Sequence, residues 1–257
     1  MTDHVAGRTA LVTGAGSGLG RAISLALAAR RARLILVGRR RGKLASVAKE
    51  VQLAGGSARE VACDISSPAE VEAAVGQLAD EEISILVNNA GVAGPIAPLV
   101  NIGPDDWDDV FAVNVRGVYL MCRAFLPPMI KRGSGDIINL ASVSGKRPLA
   151  GRTPYTASKM AVIGLTATLA HEVGEQGVNV NSLSPGPVRG PRMDRNFVLD
   201  AERRGISPDD AEEEFVSRAA LHRLIEEDEV ADAIIAMLHM PGLCGADIDL
   251  SAGMIAR

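Results

Sequence analysis

A phenol and an ammonium stand one helical turn apart in Tyr155-Thr156-Ala157-Ser158-Lys159, and Ser142 precedes the phenol by thirteen positions. Tyr155 and Lys159 are i and i+4 on a helix that the sequence starts near Pro154, so they share one face. A free tyrosine titrates at about 10 and a lysine at about 10.4, so neither is poised near neutral pH alone. An adjacent ammonium stabilises phenolate and lowers the tyrosine pKa. Such a tyrosine can take a proton from an alcohol or give one to a carbonyl. Ser142, at the end of the apolar strand pattern Ile137–Ala141, can hold the substrate oxygen by hydrogen bonding. Tyr155 by itself would also fit an aromatic on a helix surface; with only two tyrosines in the chain, Ser142 and Lys159 weaken that alternative.

These groups need something to work with, and Thr13-Gly14-Ala15-Gly16-Ser17-Gly18-Leu19-Gly20 supplies it. An apolar strand pattern runs into Val12, the glycines follow at once, and Arg21 to Ala29 carries apolar residues at helical spacing. That context is the one a dinucleotide phosphate loop requires. Gly14 permits the turn out of the strand, Gly18 a close approach of backbone to pyrophosphate, and Gly20 tight packing of helix on strand. The helix N-terminus offers unpaired N–H groups and a positive dipole end. The spacing is T-G-x-x-x-G-x-G rather than G-x-G-x-x-G. A glycine-rich turn with no ligand is the alternative.

A second apolar strand, Arg33–Gly38, should carry an acidic residue at its end if the loop holds NAD(H), because that carboxylate accepts from the ribose hydroxyls. Gly38 and the run Arg39-Arg40-Arg41 stand there instead. Loss of the carboxylate and gain of guanidinium groups favours NADP(H), with NAD(H) as the alternative if the arginines only form a solvated helix start.

With these motifs in this order, the chain resembles the short-chain dehydrogenase/reductase family, similar to its 3-oxoacyl-[acyl-carrier-protein] reductases, and the resemblance covers essentially the whole length. It implies cofactor contacts at Thr13, Gly14, Ser17, Gly18, Leu19 and Gly20, and at Arg39. It implies further contacts at Asp64 and Ile65 of Cys63-Asp64-Ile65, with Asp64 on adenine, and at Asn88, Ala90 and Gly91 of Asn88-Asn89-Ala90-Gly91. Pro185, Gly186 and Val188 would meet the nicotinamide carboxamide, and Tyr155 and Lys159 would serve both cofactor and reaction. Asn114 of Asn114-Val115-Arg116-Gly117 would kink a helix and complete a proton relay to Lys159, making Asn114, Ser142, Tyr155 and Lys159 the catalytic set. Three positions depart from the family pattern. Arg31 replaces a glycine that ends the first helix, Gly190 replaces a threonine that contacts the cofactor, and Asp249–Gly253 replaces the usual V-D-G-G.

The elements that must position these groups follow from the alternation of patterns. Strands near 9–13, 33–38, 57–62, 84–88, 135–141, 178–184 and 246–250 alternate with helices, which predicts an α/β Rossmann-type doubly wound parallel sheet of about seven strands. The 257 residues, 47% hydrophobic, suffice for one domain over 1–257, with a polar substrate lid near 188–222 in which Ser207 caps a short helix. A net charge of −4 argues against nucleic acid. The sequence holds no run of 18 apolar residues and opens without a signal-peptide layout, so a cytoplasmic chain with no membrane partner is expected. Cys63, Cys122 and Cys244 read as buried reduced thiols, the four histidines form no ligand pattern, and no metal is expected.

The function these readings give is an NAD(P)(H)-dependent oxidoreductase interconverting a secondary alcohol and a ketone. The substrate, a small carbonyl or alcohol compound, is left open among 3-oxoacyl, hydroxy-acid and polyol classes. A catalytically inactive dinucleotide-binding sensor or scaffold is the alternative, and a lyase or epimerase on the same fold is a third. Small and apolar residues on the helices around 105–131 and 154–175, among them Ala157, Ala161, Gly164, Ala167 and Ala170, exceed what one buried face needs. By resemblance they would assemble a homotetramer.

Overall fold

A computed structural model describes residues 3–147 and 149–255, the side chains of Arg192 and Arg203 aside. Seven strands form one sheet: β1 (Thr9–Thr13), β2 (Arg33–Gly38), β3 (Ser57–Ala62), β4 (Ile83–Asn88), β5 (Gly135–Leu140), β6 (Val178–Pro185) and β7 (Asp247–Leu250). Their order is β3-β2-β1-β4-β5-β6-β7 and all six pairings are parallel. Every residue of β1 and β4 is buried, as expected for central strands covered on both faces.

Alternation along a strand sends successive side chains to opposite faces. Ala10 and Val12 of β1 therefore pack with Ile23 and Leu27 of α1 (Gly18–Ala29), Leu44 and Val51 of α2 (Arg41–Leu53), and the C-terminal helix at Glu227–Leu238. Leu11 packs on the other face with Val71 of α3 (Pro68–Gln77) and with the helices that follow α4 (Pro104–Phe111). Those are α5 (Val118–Arg132), which contributes Met121 and Phe125, and α6 (Thr153–Val173), which contributes Val162. A π-helical segment, Ala112–Gly117, joins α4 to α5. An 18-residue window of the run Pro104–Arg132 reaches the mean hydropathy (1.2) of a membrane span, but its apolar residues Val118, Met121, Phe125 and Met129 are spent on the sheet.

The region expected to be a polar stretch holds two helices, α7 (Pro191–Arg204) and α8 (Pro208–Val216), before the C-terminal helix α9 (Glu227–Leu238). Met193, Phe197, Val216 and Leu224 form a small apolar core of their own there, with the Phe197 and Phe215 rings 5.6 Å apart edge to face. Ser207 caps α8 in a reciprocal capping box with Asp210. Cys63 and Cys122 are buried, and burial pushes their thiols up to about 11 and about 12. Cys244 corrects the expectation of three buried thiols: it is exposed, on the connection from α9 to β7, where no strand covers it.

Candidate active site

Strand order reverses between β1 and β4, whose outgoing connections leave for opposite faces and open a crevice at their carboxyl ends. A cleft of about 580 Å³ lies there. Its floor is the glycine loop. Gly14 and Gly18 have φ of +66° and +54°, conformations that side chains rarely adopt. A Cβ on Gly20 would overlap the Gly14 carbonyl oxygen, so helix and turn touch through backbone alone. Ser17 is the N-cap of α1 in extended conformation but makes no side-chain cap bond. The first N–H groups of α1 are left without that partner, as an anion site needs. Gly14, Ser17, Gly18, Leu19 and Gly20 all line the cleft. Thr13 does not: it is fully buried, its hydroxyl accepts from the Asn89 and Ala90 amides at 3.0 Å each, and it ties the β1 turn to the β4 turn.

At the β2–β3 edge Gly38, Arg39, Asp64 and Ile65 line the cleft, joined by Arg40 and Lys43. Arg39 Nη1 is 3.9 Å from Asp64 Oδ2, and the Arg39 side chain is 65% exposed. Partial burial opposes ionisation of Asp64. The Ser66 hydroxyl and amide, at 2.7 and 3.0 Å, outweigh it with help from Arg39, and the carboxyl is held below its usual range.

At the β4 end a correction is required. Asn88 does not line the cleft: it is 2% exposed, and its Nδ2 donates to Asn139 Oδ1 at 2.8 Å and to Cys122 Sγ at 3.4 Å, on the α5–α6 face. Asn139 continues that network to Thr166. The next residue, Asn89, lines the cleft instead, with Ala90 and Gly91. Asn88 is the last residue of β4 and Asn89 follows it, so the strand's alternation sends the two side chains to opposite faces.

The residues expected to form the catalytic set gather near the ends of β4 and β5. Asn114 sits fully buried within the π-helical segment. Its carboxamide accepts from the Val92 amide and donates to the Val92 carbonyl and to Ser158 Oγ, at 2.8, 2.9 and 3.0 Å. A Cβ on Gly91 would lie 3.1 Å from Asn114 Oδ1 and 3.6 Å from Lys159 Nζ, which brings both groups to one spot of backbone. Lys159, 6% exposed, donates from Nζ to the Leu140 carbonyl at 2.7 Å, and Nζ lies 5.9 Å from the centre of the Tyr155 ring. Ser142, in extended conformation just past β5, accepts from the Ser144 amide at 3.1 Å. Ser142, Tyr155, Lys159, Pro185, Gly186 and Val188 line the cleft together.

Sequence reasoning passed over two features here. Glu227, at the start of α9, lines the same cleft. Lys146, four residues beyond Ser142, has a side chain only 6% exposed and paired with both Asp247 and Asp249 of β7; Asp247 also accepts from Ser182 and Ser184 at 2.8 Å. That cluster pins the Ser142 turn to the far edge of the sheet. A lone lysine 101 positions from its partner gives no local signal.

Comparison with known proteins agrees with this arrangement. The family model of the short chain dehydrogenases matches residues 8–201. D-threitol dehydrogenase of Mycolicibacterium smegmatis is 39% identical over 215 residues, covering 79% of this chain and 82% of that protein. A 3-oxoacyl-[acyl-carrier-protein] reductase of Vibrio harveyi is 32% identical over 255 residues, 98% of each. L-sorbose reductase from Gluconobacter frateurii, solved with NADPH and L-sorbose, superposes with a TM-score of 0.93 over 100% of both chains at 26% identity. The sheet order, the cleft and these matches agree, and the chain is an oxidoreductase of the short-chain dehydrogenase family.

Proposed function

We propose that this enzyme interconverts a secondary alcohol and a ketone on a small molecule, using NADP(H), with Tyr155 as general acid and base. The observation that carries this reading is that Ser142, Tyr155 and Lys159 line the cleft whose floor is the glycine loop. The residues suit a dinucleotide. A backbone cradle that a Cβ would fill lies at Gly14, Gly18 and Gly20, uncapped N–H groups open α1, and a carboxylate at Asp64 can meet an adenine amino group. When bound, the nicotinamide ring supplies or takes up a hydride.

The chain's own groups handle the substrate oxygen. The Tyr155 hydroxyl gives that oxygen a proton in the reductive direction and takes one in the oxidative direction. The Ser142 hydroxyl donates a hydrogen bond to the same oxygen and fixes its place. The Lys159 ammonium, anchored on the Leu140 carbonyl, favours the charged phenolate. Asn114 acts on the geometry by holding Val92 beside Gly91 and by binding Ser158 on the Tyr155–Lys159 turn.

Cofactor choice rests on Gly38 and Arg39. Gly38 offers no carboxylate to repel a 2′-phosphate, and Arg39 can pair with one. NAD(H) is the competing reading, because Arg39 is largely exposed and already faces Asp64. Residues 188–222 act as the substrate lid of a domain that spans the chain. Val188 bridges to Ile225 and Arg189 pairs with Glu226, which ties the start of the lid down beside the cleft, while Arg189 also pairs with Glu212 within it. The substrate belongs to the 3-oxoacyl, hydroxy-acid or polyol classes. The chain assembles as a homotetramer through the α5 and α6 surfaces, where Tyr119, Met160, Gly164 and Ala167 are exposed.

Nicotinamide absorbance followed with a panel of β-ketoesters, hydroxy acids and polyols tests the reaction. Coenzyme binding without turnover of any class would favour the inactive sensor or scaffold.

A further inference from the structure

Two carboxylates line the cleft, Asp64 and Glu227, and the proposed mechanism leaves Glu227 unused. Glu227 Oε1 lies 3.5 Å from where a Cβ on Gly18 would sit and 3.7 Å from one on Gly190. The carboxylate thus stands between the first turn of α1 and the segment that leads into α7. This is the end of the cleft where the uncapped N–H groups and the positive dipole end of α1 collect. Helix α9 starts at Glu227 itself, so two helix N-termini meet around one carboxylate.

Its neighbours on α9 are engaged elsewhere: Glu226 pairs with Arg189, and Glu229 with Arg223. Glu227 makes no hydrogen bond or ion pair among the described residues. Arg21 of α1 acts on it at range, but that guanidinium is committed to Glu50 of α2. Burial raises the Glu227 carboxyl above its usual range; Arg21 opposes the rise, and Asp228 and Glu226 add to it. A carboxylate held without a partner beside an anion cradle is poorly compensated where it stands.

We propose that Glu227 is an internal competitor for the phosphate-binding end of the cleft, a fixed negative charge that weakens dinucleotide binding below what the glycine cradle alone would give. The proposal rests on the reading of the cleft as a dinucleotide site. The pyrophosphate must share with Glu227 the positive field of α1, and the two anions repel. Gly190, with no side chain, leaves room for both to be present at once.

Calorimetric titration of the purified full-length protein with NADPH and with NADH tests this in three forms: wild type, Glu227→Gln and Asp228→Asn. Glu227→Gln keeps the shape and removes the charge. Asp228→Asn removes the same charge from the same helix turn, at an exposed position outside the cleft. Glu227→Gln should bind both dinucleotides more tightly, by roughly three- to tenfold at low ionic strength. The gap should narrow in about 1 M salt, where the screening length falls to about 3 Å. Asp228→Asn should match wild type. A Glu227→Gln protein with wild-type far-ultraviolet circular dichroism but unchanged affinity overturns the proposal. Weaker binding overturns it too, because Glu227 would then be accepting a hydrogen bond from the ligand. If the wild type binds neither dinucleotide, the reading of the cleft fails, and that result is distinct from either of these.

Discussion

Cofactor preference turns on two adjacent residues whose geometry sets a magnitude. Gly38 lines the cleft with an ordinary φ, and a Cβ there would meet only Leu44 Cδ2, at 3.4 Å, so aspartate at position 38 fits with a slight shift of one flexible side chain. In the wild type, discrimination comes from Arg39, which is 65% exposed and already 3.9 Å from Asp64. An exposed ion pair is worth up to about 1 kcal/mol, so NADPH should be preferred by roughly fivefold and no more. Gly38→Asp adds two further effects. Its carboxylate repels a 2′-phosphate by about 1 kcal/mol at that exposure, and it accepts hydrogen bonds from the free ribose hydroxyls of NADH for about 1 kcal/mol more. The sum, about 2 kcal/mol, is a swing of roughly thirtyfold in the ratio of kcat/KM for the two cofactors. The variant should therefore prefer NADH by roughly fivefold. Initial rates with both cofactors, on both proteins, at one substrate concentration decide it. A wild type that already prefers NADH would show that Arg39 serves Asp64 and solvent, and would refute the argument at its first step.

Three other outcomes are expected. Tyr155→Phe removes only the hydroxyl at the reacting end of the cleft, so kcat should fall at least about a hundredfold while the dinucleotide Kd holds; a variant keeping more than about a tenth of wild-type turnover would disprove its role. Arg31, which ends the turn after α1, has φ +62°, a left-handed conformation that costs a non-glycine residue roughly 1–2 kcal/mol, against about 0.5–1 kcal/mol of extra chain entropy for glycine. Arg31→Gly should raise Tm by about 2 °C in thermal unfolding, and a fall would mean that the arginine side chain contributes more than its backbone costs. Light scattering at micromolar concentration should give the mass of a tetramer, and a monomer mass would remove the assembly role assigned to the small residues of α6.

The strands and the chemistry-bearing turns were legible because each is written locally. The strand patterns place β1 to β7 to within a residue or two, the glycine spacing marks the loop, and Tyr155 and Lys159 declare themselves by i, i+4 spacing. What escaped was set by direction or distance. Asn88 and Asn89 are alike in sequence, and only the alternation of β4 decides which one faces the cleft; counting from Leu86, which packs toward α5, would have placed Asn88 on the α5 side. Helix α7 was missed because charges dilute its apolar positions, although Met193, Phe197 and Ala201 recur at i, i+4 and i+8 and are buried. Glu227 lies more than two hundred positions from Gly18, and acidic residues surround it in sequence. Nothing in that run separates the carboxylate that enters the cleft from those that pair with arginines at the surface.

The two ends of the cleft are also built from different material, and this shapes how each can vary. The phosphate end is main chain: glycine turns, unpaired N–H groups and a helix dipole, bounded where a Cβ on Gly20 would strike the Gly14 carbonyl. Side-chain changes around it leave the cradle intact and adjust only the charges that face it, at Arg39, Lys43 and Glu227. The proposed reacting end is side chain: the hydroxyls of Ser142 and Tyr155, the ammonium of Lys159 and the carboxamide of Asn114, with Ser142, Lys159 and Asn114 each bonded to a backbone group. There the chemistry depends on single atoms. Residues 188–222, proposed above as the lid, share in a small core of their own, and Arg189 holds exposed ion pairs worth little individually. On that proposal, a weakly held segment beside a rigid sheet would open and close without disturbing either end. On the same proposal, selection for a new substrate would act on residues 188–222 while the groups of the cleft keep the geometry that the sheet gives them.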